Sequence, residues 1–227
     1  MQVFCDFDGT ISTGDATDLV LSAFADPEWR AIEQRWKDGE IGSAECMRLQ
    51  VGLLRATRVQ LDGLLDDIAI DPGFPDFLRF CIRNAVPVVI VSDGVDYFIK
   101  RILARHGVHS LPVIANTLTH PQPGAGGPYV LSSRHAKPGC ASGAGVCKCR
   151  AIGAEGPRGF VGDGRSDFCV SDKPEVVFAK GALANHCAAR GIPFLGFETF
   201  AELPRQLEAI LAGFAARRRA PLRSISA

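Results

Sequence analysis

The chain has 227 residues, and its 25 Lys plus Arg balance its 25 Asp plus Glu, so the formal net charge is zero. This balance lacks the basic footprint of a protein that binds nucleic acid or an anionic membrane, and we expect neither partner. The length suits one core domain with a smaller inserted module. The hydrophobic content of 47% is ordinary for a globular protein.

The beginning of the sequence has no basic leader and reaches an aspartate at residue 6. Its longest interior apolar run, 85–91, is too short to span a bilayer. We therefore expect a cytoplasmic protein that is a monomer or a homodimer. Thiols stay reduced in the cytoplasm, so the eight cysteines do not indicate a disulfide framework.

Hydrophobic patterning divides the chain into strands and helices. A strand opens the chain at 3–7, and a block with helical periodicity and both tryptophans follows at 14–84. The apolar run 86–91 is typical of a strand buried on both faces. The remaining predicted elements are a helix at 95–105, strands at 113–119 and 129–132, a turn-rich loop at 121–128, strands at 159–162 and 175–179, a helix at 182–190, and a final helix from the capping box Thr199/Glu202 to about 215.

Strands that alternate with helices predict an α/β fold with a Rossmann-like parallel sheet. The helical block lies between the first and second strands. We therefore predict a core domain at 1–13 and 85–227, with an inserted helical cap at 14–84.

The first strand ends in Asp6-Phe7-Asp8-Gly9-Thr10. Residues two apart in a strand face the same side, so Asp6 and Asp8 are predicted to converge at its carboxyl end, where open α/β sheets bind ligands. Two carboxylates there favour a hard divalent cation such as Mg²⁺. The alternative is an ordinary strand followed by a turn.

Two further strand ends carry polar residues. Ser92, Asp93 and Gly94 lie between an apolar strand and a helix, where a hydroxyl and main-chain N–H groups bind anions; a simple helix cap is the alternative. Asp163 and Asp167 follow the strand at 159–162 and are candidates to complete a metal site. Lys148, upstream of them, is a candidate to neutralise a transferring phosphoryl group.

Together these motifs resemble those of the haloacid dehalogenase superfamily, in particular its phosphoserine phosphatase-like branch. The resemblance implies an enzyme that hydrolyses a small phosphate ester. It implies that Asp6 is the nucleophile and that Asp8 is the acid and base, with its main-chain carbonyl on Mg²⁺. It also implies that Lys148 stabilises the phosphoryl charge.

The resemblance further implies that the 92–94 turn holds phosphate oxygens, that Asp163 binds Mg²⁺ and that Asp167 supports it. An acid at Asp8 favours a phosphatase or a mutase over a transport ATPase. Within the branch, the chain is similar to the family of methionine-salvage phosphatases, through residues 6–11, 27–29, 92–98 and 140–148. It departs from that family at Asp93, where glycine is frequent.

Three weaker signals complete the reading. Asp15 is a candidate substrate contact or a helix cap, and Arg48 a candidate contact for a second polar group of the substrate. The residues His135, Cys140, Cys147 and Cys149 form either a zinc site without a C-x₂-C knuckle or a set of ordinary loop thiols. The alternative function is a phosphoserine phosphatase or another small-metabolite phosphatase, or a non-catalytic binding protein on the same fold.

Overall fold

The structure is a computed structural model that describes residues 1–120, 128–140, 142–153 and 155–219. The loop predicted at 121–128 lies outside these ranges except for Pro128. No helix in the described ranges is long and apolar enough to cross a membrane.

A seven-stranded sheet forms the centre of the core, in the order β4-β3-β2-β1-β5-β6-β7. Strand β4 is antiparallel to β3, and the other neighbouring strands are parallel. The strands are β1 (Gln2–Cys5), β2 (Val88–Val95), β3 (Val113–Thr119), β4 (Val130–Ser132), β5 (Arg158–Gly162), β6 (Val176–Ala179) and β7 (Leu195–Gly196).

Helices cover both faces of the sheet and form the block between β1 and β2. The helices are α1 (Ala16–Phe24), α2 (Trp29–Lys37), α3 (Ser43–Gly52), α4 (Arg58–Asp66), α5 (Phe74–Arg83), α6 (Asp96–Arg105), α7 (Lys148–Ala151), α8 (Gly181–Arg190) and α9 (Leu203–Arg219). The predicted α/β class, with a Rossmann-like core and an inserted helical cap, is confirmed.

The apolar run before Ser92 is buried because β2 lies inside the sheet, with β1 on one side and β3 on the other. Strand β2 is longer than predicted and continues through the 92–94 turn to Val95. The final helix also differs in detail. The capping box forms, since Glu202 accepts hydrogen bonds from the main-chain N–H of Thr199 at 3.0 Å. A short 3₁₀ turn, Phe200–Glu202, then precedes α9.

The last helix of the inserted block packs against the core. The ring of Phe74 meets Phe200 edge-on at 4.9 Å between centroids, and Phe77 lies 5.3 Å from the same ring. Asp71 fastens this contact by accepting the N–H of Gly73 at 2.8 Å and that of Phe200 at 3.1 Å. Helix α5 therefore packs against the core, although the prediction assigned it to the cap. The predicted cap boundary at residue 84 stays a prediction.

This junction requires glycine at position 73. A Cβ there would lie 2.9 Å from the carbonyl carbon of Phe200 and closer still to the amide of Ala201. We expect Gly73→Ala to lower the free energy of unfolding by about 1–3 kcal/mol, because main chain on both sides must shift. Urea unfolding followed by circular dichroism measures the change.

Gly63→Ala is the matched control, since a Cβ at Gly63 in α4 meets nothing within 4 Å. It should raise stability by about 0.5–1 kcal/mol through helix propensity. Equal effects of the two substitutions would contradict the tight junction.

Candidate active site

The order of the strands brings three sequence motifs to one edge of the sheet. Strand β1 pairs with β2 on one side and with β5 on the other, all in parallel. Asp6 follows β1, Ser92 lies towards the end of β2, and Asp163 follows β5. Their carboxyl ends are therefore adjacent, as open α/β sheets require of a ligand site.

The turn after β1 is closed by a glycine and a threonine. The N–H groups of Thr10 and Ile11 bond to the carbonyl of Phe7, and Gly9 has a φ of +72°. A Cβ on Gly9 would approach Asp163 Oδ2 to 2.6 Å. The Thr10 hydroxyl donates to Asp163 Oδ1 at 2.5 Å. The turn thus fixes Asp163 against the first strand.

Lys148 is the centre of the charged cluster. Its side chain is 1% exposed, and Nζ lies 2.8 Å from Asp6 Oδ1, 2.6 Å from Asp167 Oδ1 and 3.0 Å from Ser166 Oγ. Burial disfavours the ammonium charge, but Asp167 and Asp6 together raise the pKa of Lys148 above its usual value. The lysine therefore stays charged and holds both carboxylates.

The cluster still has an excess of negative charge. Burial, and then the neighbouring Asp167, raise the pKa of Asp6 to about 8, although Lys148 opposes the shift. Burial also raises the pKa of Asp163, with Asp167 adding to the effect. A single lysine thus does not neutralise the buried carboxylates, and a further cation would stabilise their ionised forms.

The donor set fits Mg²⁺. Ligand oxygens of Asp6, Asp163 and Asp167 lie within 4.8 Å of one another, and hard divalent ions prefer carboxylate oxygens. Asp167 is already engaged, because Oδ1 accepts from Lys148 and Oδ2 from the N–H groups of Asp163 and Gly164, both at 3.1 Å. The arrangement favours Asp6 and Asp163 as ligands, with Asp167 orienting Lys148 and the Asp163 main chain.

Asp8 lies next to the predicted anion site. Its Oδ1 accepts the N–H of Ala16, at the start of α1, at 2.8 Å. Burial, and then Asp15, raise the pKa of Asp8 well above its usual value. Ser92 is buried, and its Oγ accepts the N–H of Gly94 at 2.9 Å. A Cβ on Gly94 would press against Asp8 Oδ2, so glycine there leaves room for the acid.

A cavity of about 260 Å³ opens above these residues. Its floor comes from the core and its opposite wall from the cap. The lining residues are Asp6, Asp8, Asp15, Thr17, Asp18, Glu33, Trp36, Ser43, Cys46, Met47, Gln50, Ser92, Asp93, Gly94, Asp163, Gly164, Arg165 and Ser166. Arg165 of the core contacts the cap here, with its guanidinium carbon 5.5 Å from the ring centre of Trp36.

The structure brings together most of the predicted site residues but separates others. Asp15 lines the cavity and also caps α1 by accepting the N–H of Asp18 at 2.9 Å. Arg48 is exposed on α3 and does not line the cavity. Asp93 lines the cavity, but its carboxylate accepts hydrogen bonds from protein donors and would repel an anion. Only its main chain is suited to phosphate.

The candidate zinc ligands do not assemble. In the described residues, the acidic cluster is the only group of three or more His, Cys, Asp or Glu side chains with ligand atoms within 4.8 Å. His135 pairs through its main-chain carbonyl with the N–H of Cys147 at 3.1 Å, and the thiol of Cys149 donates to the carbonyl of Cys169 at 2.8 Å. The geometry favours loop thiols.

Sequence reasoning missed the residues of the cap wall. Thr17, Asp18, Glu33, Met47 and Gln50 come from three helices and share no spacing that marks a site. In the sequence, only their position within the inserted block indicates that they could face the carboxyl ends of the strands. The role of Thr10 had a clearer signal, because it ends the Asp6–Thr10 motif.

The profile of the haloacid dehalogenase-like hydrolase family matches residues 3–172. The chain belongs to this family of hydrolases. The match covers the motifs at Asp6, Ser92, Lys148 and Asp163, and it agrees with the geometry of the site.

Among curated proteins, the chain is similar to 2-hydroxy-3-keto-5-methylthiopentenyl-1-phosphate phosphatases. It is 28% identical to that of Brevibacillus brevis over 225 residues, which cover 92% of this chain and 96% of the relative. It is also 28% identical to that of Geobacillus kaustophilus over 207 residues, which cover 88% of this chain and 92% of the relative.

Among solved structures, a substrate-bound phosphoserine phosphatase complex aligns with a TM-score of 0.63 and 17% identity, covering 93% of this chain and 97% of its own. A HAD family hydrolase from Salmonella enterica serovar Typhi aligns with a TM-score of 0.66 and 16% identity, covering 88% of this chain and 68% of its own. At these identities the likeness establishes the fold.

We expect removal of Lys148 to destabilise the folded protein strongly. Lys148→Met leaves buried carboxylates without their cation, so we expect the free energy of unfolding in EDTA to fall by on the order of 3 kcal/mol. Urea unfolding at pH 7 measures the loss. The matched control is Lys173→Met, because that lysine is half exposed and pairs with Asp172 at the surface. It should leave the unfolding curve unchanged, and equal curves for both variants would contradict the buried cluster.

Proposed function

We propose that this chain is a Mg²⁺-dependent phosphatase that hydrolyses a small phosphomonoester through an aspartyl-phosphate on Asp6. The observation that carries the proposal is the convergence of Asp6 and Asp8 on one cavity, with the buried Lys148 paired to Asp6 at 2.8 Å. A buried nucleophile beside an acid and a fixed cation provides the positioning and charge neutralisation that phosphoryl transfer needs.

The first half-reaction uses both aspartates. The Asp6 carboxylate attacks phosphorus, the ester P–O bond breaks, and Asp8 gives its proton to the leaving oxygen. Burial and the negative charge of Asp15 favour the protonated form of Asp8, because both raise its pKa. Lys148 holds Asp6 at 2.8 Å, which restricts its rotation and keeps a positive charge beside the site of attack.

In the second half-reaction, Asp8 takes a proton from water as the water attacks the aspartyl-phosphate. Inorganic phosphate leaves and both aspartates return to their starting forms. Mg²⁺, held by Asp6 and Asp163 with the Asp8 main-chain carbonyl, would neutralise charge on the phosphoryl oxygens. The Ser92 hydroxyl is suited to donate to those oxygens during both steps, and the Gly94 N–H would turn to them from its bond with Ser92 Oγ.

The cap wall supports a leaving group without a negative charge. Trp36 and Met47 give it apolar surface, while Asp15, Asp18 and Glu33 give it carboxylates. Burial, followed by the proximity of Asp15 and Glu33, raises the pKa of Asp18 to about 6. An anionic leaving group would be repelled by these three carboxylates.

We infer that the substrate resembles that of the curated relatives, 2-hydroxy-3-keto-5-methylthiopentenyl-1-phosphate. In the intact ester, the part that will leave carries hydroxyl, keto and methylthio groups and no charged group. The thioether matches the apolar surface of Trp36 and Met47, and the hydroxyl can donate to the carboxylates. Two observations support this inference. One is the 28% identity over nearly the whole chain, and the other is that the cap wall has both apolar side chains and carboxylates.

Phosphoserine is the second candidate, because its ammonium group would be attracted to the same three carboxylates. Its carboxylate lacks a cap partner, since Arg48 points to solvent. Arg165 is the one basic side chain among the lining residues of the described chain, and its guanidinium already lies over the ring of Trp36. The geometry therefore favours the uncharged leaving group.

The first test is release of inorganic phosphate from a panel of phosphomonoesters that includes both candidates. We expect turnover with Mg²⁺, its loss in EDTA, and a preference for the methylthio ester. Asp6→Asn should lower kcat by at least about 10³-fold, because the nucleophile is gone. Its thermal unfolding should stay cooperative. The control is Asp172→Asn at the exposed surface. Metal-independent turnover, or an active Asp6→Asn variant, would contradict the mechanism.

Met47 tests the assignment of the thioether wall. Met47→Ala should lower kcat/KM for the methylthio ester by about 5- to 30-fold, since it removes apolar contact worth about 1–2 kcal/mol. Hydrolysis of glycerol phosphate, which lacks the thioether, should change much less. The control is Leu49→Ala, on the same helix but outside the cavity lining. An equal loss on both substrates would place the thioether elsewhere.

A further inference from the structure

One carboxylate joins three separate parts of the molecule. Asp93 Oδ2 accepts the hydroxyl of Ser43 at 2.5 Å, and Asp93 Oδ1 accepts the N–H of Val146 at 3.0 Å. The side-chain amide of Asn116 donates to the Asp93 carbonyl at 2.5 Å and lies 3.3 Å from Oδ1. Asp93 itself lies between the two proposed phosphate contacts, Ser92 and Gly94.

These donors belong to different structural units. Ser43 is the first residue of α3 in the cap, and Asn116 lies on β3 of the core. Val146 is two residues before Lys148, in the segment that leads into α7. The Asp93 carboxylate therefore connects the turn that faces the phosphate with two other parts of the chain. These are the cap and the segment that precedes Lys148.

The main chain makes a second attachment between the same cap helix and the same segment. The N–H of Ala44 donates to the carbonyl of Gly143 at 2.9 Å. Gly143 has a φ of +56°, and a Cβ on it would lie 3.0 Å from the Cα of Gly42. The two backbones can approach this closely because both residues are glycines. The contact places the start of α3 where Ser43 reaches Asp93.

The charge of Asp93 suits this role. A carboxylate accepts several hydrogen bonds at once, and bonds to a charged acceptor are stronger than those between neutral groups. Removing it would leave the N–H of Val146 without this acceptor in a partly buried place, which carries a desolvation cost. Arg165 over Trp36 makes a separate contact between core and cap on the cavity.

We propose that Asp93 is a positioning residue that holds the cap, the phosphate-facing turn and the Lys148 segment in one arrangement. The carboxylate holds the start of α3 and the main chain before Lys148 against the same turn. The kinetic consequences of this role rest on the proposed phosphatase function, but its structural consequences do not.

Hydrogen exchange of the whole protein, read by mass spectrometry, is the structural test. Asp93→Ala should speed exchange in peptides from α3 and from 142–150 by on the order of tenfold, since the lost bonds hold both segments. Peptides from α9 serve as the internal reference. Asp93→Asn keeps an acceptor for the Val146 N–H. It also offers an amide N–H that the Ser43 hydroxyl oxygen can accept in place of its present bond to the carboxylate, so it should restore most of the protection.

Two serine variants sharpen the comparison. Ser43→Ala should speed exchange in α3 alone, because it leaves the bond between Asp93 and Val146 intact. Ser142→Ala is the matched control, since its hydroxyl contacts Cys140 and not the cap. It should leave α3 unchanged. If Asp93→Ala does not fold, the test is whether α3 exchanges faster in Ser43→Ala than in Asp93→Asn. Equal α3 exchange in these two variants would overturn the proposal.

Steady-state kinetics give the second readout. Asp93→Ala and Ser43→Ala should each lower kcat/KM for the preferred ester, and the double variant should lose no more than Asp93→Ala alone. Unchanged α3 exchange in Asp93→Ala, or fully additive losses, would overturn the proposal. Absence of turnover in the unsubstituted protein would instead count against the proposed function, and the exchange data would still decide the role of Asp93.

Discussion

The buried contact of Lys148 with Asp6 and Asp167 is the interaction on which the rest of the site depends. Taking three charged groups out of water is costly unless they are paired and hydrogen-bonded. Here the lysine bridges both carboxylates, and Asp167 also accepts two main-chain N–H groups at 3.1 Å. The result is that Asp6, the proposed nucleophile, has little rotational freedom, in a site that retains excess negative charge and so favours a divalent cation.

The strand order explains why so much of this site could be predicted from sequence. The motifs at Asp6, Ser92 and Asp163 each follow or end an apolar strand, and parallel strands present their carboxyl ends at one edge. The prediction needed only that these strands be neighbours, and β1 does lie between β2 and β5. The glycines at positions 9 and 94 lie where a Cβ would crowd Asp163 and Asp8, which only the structure shows.

The cap side could not be predicted in the same way. Arg48 and Met47 are adjacent on α3, yet Met47 lines the cavity and Arg48 is exposed, because docking of the cap decides which face of the helix turns inward. Asp93 looked like part of an anion site, whereas its carboxylate serves Ser43 and Val146 from distant segments. Such contacts depend on tertiary packing, which short motifs do not encode.

The groups proposed for catalysis and the groups that face the leaving group are therefore held in place by different parts of the fold. The groups proposed to act on the phosphate are fixed by β-strand ends and by a buried ion pair. Groups that face the leaving group come from cap helices. Beside the cavity, the cap meets the core through the glycine pair at 42 and 143, the Arg165 guanidinium over Trp36, and the Asp93 carboxylate. Because Asp93 also belongs to the phosphate-facing turn, it is where the position of the cap and the geometry of the reacting groups become linked.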